Sequence, residues 1–226
     1  MRKIKRFKIT DLLIGSVFTV LFLSLGLIFT INFRPLYYLD VKLLHIPETS
    51  GYSKEEIIEN YDALIDYSSP FHKGSLSFPS LDASPSGIQH FEEVKDIFVA
   101  FYWLGAFSII AAIGIIIYKS RNRDISYLLV SSITAIILPL IVGLLLAIDF
   151  DTSFLIFHKI FFNNDYWIFD PITDPVITIL PSTFFLHCAF LIIAFIIISS
   201  MILFLIYLYL KKRSGIKFRK NRGIKI

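Results

Sequence analysis

The sequence predicts an all-α integral membrane protein, a four-helix transmembrane bundle with a small, mainly helical extracytoplasmic cap. Three observations predict it. Hydrophobic residues make up 55% of the chain and the mean hydropathy is +0.69, whereas soluble domains are about 45–50% apolar. Four segments, at roughly 12–31, 97–118, 125–148 and 184–210, each supply about the 20 apolar residues that cross roughly 30 Å of hydrocarbon. Basic and acidic residues also fall on alternate connections between these segments.

The first span follows MRKIKRFK. Its apolar core exceeds the roughly 7–15 residues of a signal-peptide core, and no small-x-small cleavage site follows, so it reads as an uncleaved anchor. Arg2, Lys3, Lys5, Arg6 and Lys8 precede it. Lys119, Arg121 and Arg123 join the second and third spans, and eight further Lys or Arg follow the fourth. These three stretches hold 16 of the 22 basic residues. The positive-inside rule puts them, and both termini, in the cytoplasm. Polybasic tails attract anionic lipid headgroups. With no folded reading surface beside the charge, nucleic acid is excluded as a partner.

The other two connections, 34–96 and 149–183, then face outwards. They carry 16 of the 18 acidic residues and four of the five histidines. In the first, residues 37–44 alternate weakly and suggest a short strand. Ser53 to Glu56 fits a capping box, and Ile57, Ile58, Tyr61, Leu64 and Ile65 follow one helical face. Pro70 ends that helix, and 72–85 reads as loop. A second helix starts near Ser86 and runs through His90 into the second span, which places His90 at headgroup depth, roughly 10 Å above the apolar core. The third span contains Pro139, a tolerable kink where neighbours satisfy the freed carbonyl. In the second outer loop, 154–162 reads as an amphipathic segment in the interface, and Trp167 as part of an aromatic belt.

The segment 157–188, FHKIFFNNDYWIFDPITDPVITILPSTFFLHC, is too long and too aromatic for a plain connector. His158, among Phe157, Ile160, Phe161 and Phe162, is either a neutral general base at lipid level or an imidazole that snorkels to water. His90 either faces the bundle mouth or is a surface residue beside Glu92 and Glu93. His187, a polar group at span depth, is a candidate either for orienting a partner or for hydrogen bonding within the bundle. Adjacent residues on a helix point about 100° apart, so His187 and Cys188 cannot form a nucleophile pair, and Cys188 reads as packing. Asp170 and Asp174, each before a proline, read as turn-makers, with orientation of a histidine as the alternative. Asn163 and Asp165 are further supporting candidates. No metal-ligand spacing, serine elbow or phosphate-binding glycine loop is present, and no cofactor is expected.

YYLDV at 37–41, NYDALIDY at 60–67, HFEEVKDIF at 90–98 and the 157–188 segment, in this order, resemble the bacterial lipoprotein intramolecular transacylase family of four-span membrane proteins. The resemblance implies an enzyme of the bacterial cytoplasmic membrane acting at the outer leaflet. Its substrate would be a lipoprotein whose amino-terminal Cys carries a diacylglyceryl thioether. The sn-2 acyl chain would move to the Cys α-amine, giving the lyso-form. The family's two key histidines fall on His90 and His158. The competing classes are a membrane scaffold or sensor without activity, and a metal-dependent membrane hydrolase using His90, His158, His187 and an Asp.

Overall fold

The computed structural model describes residues 9–222, and side chains from 9 to 213. The basic residues at positions 2–8 and the side chains beyond 213 lie outside the described residues, so the charge argument from both tails rests on sequence. All regular structure among the described residues is helical. Among the described residues, four helices are long and apolar enough to cross a membrane. These are α1 (Ile9–Asn32), α5 (Pro85–Arg121), α6 (Ser126–Ile148) and α9 (Ser182–Arg222). Ile110, Leu144 and Leu205 on them are exposed, as suits a chain whose solvent is lipid. α6 runs on through Pro139.

Between α1 and α5 lie α2 (Arg34–Leu43), α3 (Ile46–Ser50) and α4 (Lys54–Tyr67). α2 replaces the strand expected over 37–44. Pro35 in its first turn pre-sets a helical φ, and Tyr37, Asp40 and Val41, at i, i+3 and i+4, are its buried residues. Helical burial outweighs the weak alternation. α4 carries the expected capping box, Glu56 N–H donating to Ser53 Oγ at 3.2 Å and Ser53 N–H to Glu56 Oε2 at 2.9 Å. α7 (Phe150–Phe161) starts four residues before the amphipathic segment expected from 154, because Asp149 caps it, accepting from Thr152 N–H at 3.0 Å. A single turn, α8 (Val176–Ile179), precedes α9.

The chain forms two compact units. Of the described residues, one holds 9–25, 104–142 and 193–222, which puts the start of α1, the α5–α6 turn and the end of α9 together. Here Gly15 lies so close to Thr134 that a Cβ would sit 2.4 Å from its Oγ1. Ser200 Oγ donates to the Ser132 carbonyl, and Lys119 donates to Asp11 and Asp124 at 2.9 and 3.0 Å. Small residues and buried polar contacts of this kind join helices where lipid supplies no hydrophobic drive.

The other unit holds residues 26–103 and 143–192, and therefore both long connections. Its core is aromatic. Tyr37 stacks on Tyr61 at 3.7 Å and meets Phe184 edge-on at 5.0 Å. The Tyr37 hydroxyl donates to the Ile179 carbonyl at 2.6 Å. Fully buried Asn60 donates to Ser80 Oγ at 2.7 Å and accepts from Ser80 and Leu81 N–H, which pins the 72–85 loop to α4.

Candidate active site

One histidine comes from the second turn of α5 and one from the last turn of α7. Ser84 sets the start of α5, its Oγ accepting from Gly87 N–H at 3.0 Å. Ser84 N–H donates in turn to Asp174 Oδ1 at 2.8 Å. This carboxylate presses on Gly87 so closely that a Cβ there would lie 2.1 Å from Asp174 Oδ1. The chain before α8 is thereby locked to the first turn of α5, one turn before His90. At the other wall, Phe162 N–H donates to the His158 carbonyl at 2.8 Å and ends α7.

The rings of His90 and His158 lie 6.0 Å apart, centre to centre, and both are buried, at 4% and 8% exposure. Phe162 sits 4.7 Å from His90 and 5.6 Å from His158. Phe169 packs on His90 at 5.5 Å; Phe154 and Trp167 pack on His158 at 4.3 and 4.8 Å. His90 thus joins residues 64 to 79 positions later in the sequence, and together they make one aromatic box holding two imidazoles.

The tautomer of His158 follows from its partner. Its Nδ1 is 2.8 Å from the Phe154 carbonyl. A carbonyl only accepts, so Nδ1 carries the proton and the neutral ring keeps its lone pair on Nε2. Burial pushes the His158 pKa below its ordinary 6.5, against an opposing pull from the Phe154 carbonyl. The ring is therefore neutral at pH 7 and able to take a proton. His90 Nδ1 is buried and makes no hydrogen bond among the described residues.

A short polar chain links the two walls. Trp167 Nε1 donates to the Asn164 carbonyl at 3.0 Å, and Asn164 Nδ2 donates to Glu93 Oε1 at 2.8 Å. Glu93 follows His90 by three residues, so both lie on one face of α5.

The other sequence candidates lie elsewhere. Asn163 and Asp165 are exposed and their side chains make no hydrogen bond among the described residues; Asn164 between them makes the contact. Asp170 Oδ1 accepts from Ile172 N–H at 2.9 Å and makes a turn. Asp174 does more than turn the chain, because it clamps α5, but neither Asp hydrogen-bonds a histidine. His187 stands apart from the pair, its Nδ1 within 2.9 Å of both carboxylate oxygens of Asp40, which is 1% exposed. Half-buried Cys188 packs against the aromatic core.

Asp40, Gly87, Glu93 and Asn164 are the residues that sequence reasoning missed. The helical spacing Tyr37–Asp40–Val41 held the signal for Asp40, and the i, i+3 spacing held that for Glu93. Only the folded chain reveals the contacts of Gly87 and Asn164. No three His, Cys, Asp or Glu side chains among the described residues group as metal ligands.

The family model described as lipoprotein intramolecular transacylase Lit matches residues 12–185. No curated protein sequence matches. A crystal structure of the membrane-integral lipoprotein intramolecular transacylase Lit from Bacillus cereus is 39% identical, with a TM-score of 0.87 over 92% of this chain and 98% of that one. Two further structures of the B. cereus protein carry a histidine replaced by arginine or by alanine. The arginine form is 38% identical with a TM-score of 0.82, over 92% of this chain and 95% of that one. The alanine form is 37% identical with a TM-score of 0.84, over 91% and 94%. The match to the family model and these likenesses show that this chain belongs to the lipoprotein intramolecular transacylase family of integral membrane enzymes.

Proposed function

We propose that this enzyme moves the sn-2 acyl chain of a diacylglyceryl-modified lipoprotein to the α-amine of its amino-terminal Cys, with His158 as general base and His90 as its partner. The observation that carries the reading is the pair of buried imidazoles, 6.0 Å apart in an aromatic box, one of them held with Nε2 free to accept a proton. The histidine substitutions in the similar B. cereus structures support a role for histidine chemistry.

An α-ammonium has a reference pKa of about 7.7–8.0, so a neutral imidazole suffices to take its proton. His158 Nε2 accepts that proton, and the freed amine attacks the ester carbonyl carbon. The tetrahedral centre then collapses. The bond from carbonyl carbon to glycerol oxygen breaks, and the leaving oxygen takes a proton from the imidazole pair. The new amide nitrogen sheds its second proton to the same pair, so one proton is released per turnover. Amine and ester belong to one molecule, and their juxtaposition replaces a second substrate with a high effective concentration. The exposed apolar side of α7, with Leu155, Ile156, Ile160 and Phe161, suits acyl chains at a bilayer surface. In this reading the pair works at the outer leaflet of the cytoplasmic membrane and both termini are cytoplasmic.

The test is the acyl state of lipoproteins, read by mass spectrometry, in a host that lacks this activity. Addition of the wild-type gene converts them to the N-acyl, S-monoacylglyceryl form. His90→Ala and His158→Ala each abolish that conversion. Normal lyso-form product from both variants overturns the assignment.

A further inference from the structure

Glu93 is half-buried beside the histidine pair and is only half used. Asn164 Nδ2 donates to Oε1 at 2.8 Å, whereas Oε2 is buried and has no hydrogen-bond partner among the described residues. No Lys or Arg forms an ion pair with Glu93 among the described residues. The nearest lysine along α5, Lys95, is occupied elsewhere, donating to the His72 carbonyl at 3.2 Å and lying 4.2 Å over the Tyr67 ring. A buried carboxylate oxygen without a donor is costly, and the cost is highest for a charged group. Such an arrangement is repaid when a cationic donor docks.

The position is as informative as the missing partner. Glu93 shares a face of α5 with His90, and Asn164 ties it to the segment that presses Trp167 onto His158. A cation held by Oε2 would therefore stand on the His90 face of α5, beside the segment whose Trp167 packs on His158. On the reading proposed above, the substrate carries one cationic donor that must reach this place. We propose that Glu93 is the positioning residue that receives the α-ammonium group of the substrate's amino-terminal Cys, before His158 takes the proton. Asn164 holds the carboxylate in register for that contact.

The experiment compares two synthetic lipopeptides, both dialkyl ethers of the S-glyceryl-Cys peptide, which have no ester to transfer. One has a free α-amine and the other is N-acetylated. Binding to the full-length protein in detergent micelles is measured at pH 7. A charge-assisted contact corresponds to about a tenfold or larger gain in affinity, so the wild type binds the amine form at least about tenfold more tightly. Glu93→Gln reduces that preference below about threefold and leaves N-acetyl binding unchanged. A purely structural role for Glu93 would weaken both ligands alike, and that result overturns the proposal. So does a wild type without preference for the amine, a measurement that needs no variant to fold. In parallel, the wild type is given the diacyl ester. Turnover without amine preference overturns the Glu93 assignment alone, whereas failure to form any lyso product overturns the transacylase reading and this inference with it.

Discussion

Gly87→Ala asks whether the clamp between α5 and Asp174 holds the site together. The added Cβ would lie 2.1 Å from Asp174 Oδ1, 3.0 Å from Asp174 Cγ and 3.3 Å from Phe169. The Asp174 side chain is short, buried, and bonded to Ser84 N–H and the Thr173 hydroxyl, at 2.8 and 2.9 Å. It cannot swing away without breaking the Ser84 bond, which as a hydrogen bond to a charged group is worth about 1.5–3 kcal/mol. Against this, Ala is favoured over Gly in a helix by up to about 1 kcal/mol. The clash wins, by about 0.5–2 kcal/mol. At about 2–4 °C per kcal/mol for a chain of this size, the midpoint of thermal unfolding in detergent falls by about 1–8 °C. Transacylation falls with it, because Phe169 packs on His90. A double-mutant cycle decides the cause. With Asp174→Ala already in place there is room for the Cβ, and Gly87→Ala becomes neutral or stabilising. An equal cost in both backgrounds refutes the close-approach argument.

Two further predictions concern charge. In the proposed mechanism His158 works as a neutral base; burial holds its pKa below 6.5, and acid converts it to an imidazolium that accepts no proton. The turnover number therefore falls on an acid limb whose midpoint lies below pH 6.5, and a midpoint above 6.5 contradicts the assignment. The same depression makes stability rise with pH below 6.5, because there the unfolded chain binds the extra proton. Lys119→Met removes the cation bonded to Asp11 and Asp124, of which Asp11 is 2% exposed. Taking one partner out of a buried ion-pair network costs up to about 3–5 kcal/mol, and the variant unfolds at a clearly lower temperature with the histidine pair untouched. A loss below about 1 kcal/mol would make this network peripheral.

The sequence by itself determined the solvent and the elements. The requirement that lipid-facing backbone satisfy its own hydrogen bonds leaves a long apolar run little choice but helix, so the four spans were legible from hydropathy alone. Local chemistry determined the capping box of α4 and the helix leading into the second span, because a cap depends on residues three positions apart. His90 and His158 were legible as candidates from their unusual surroundings.

Only the tertiary structure decided what those residues meet. His90 and His158 are 68 positions apart in the chain, and packing alone brings their rings together. The partner of His187 is Asp40, 147 positions away, on a segment that its own alternation suggested was a strand. Asn164 rather than Asn163 or Asp165 faces α5, because the turn after α7 sets which of three neighbouring polar side chains points inward. The Gly87–Asp174 contact leaves no local trace, since the glycine is needed for an approach by a residue 87 positions later. Sequence records the preferences of short stretches. Which preferences are kept, and which polar groups are buried together, depends on long-range packing that no local pattern encodes.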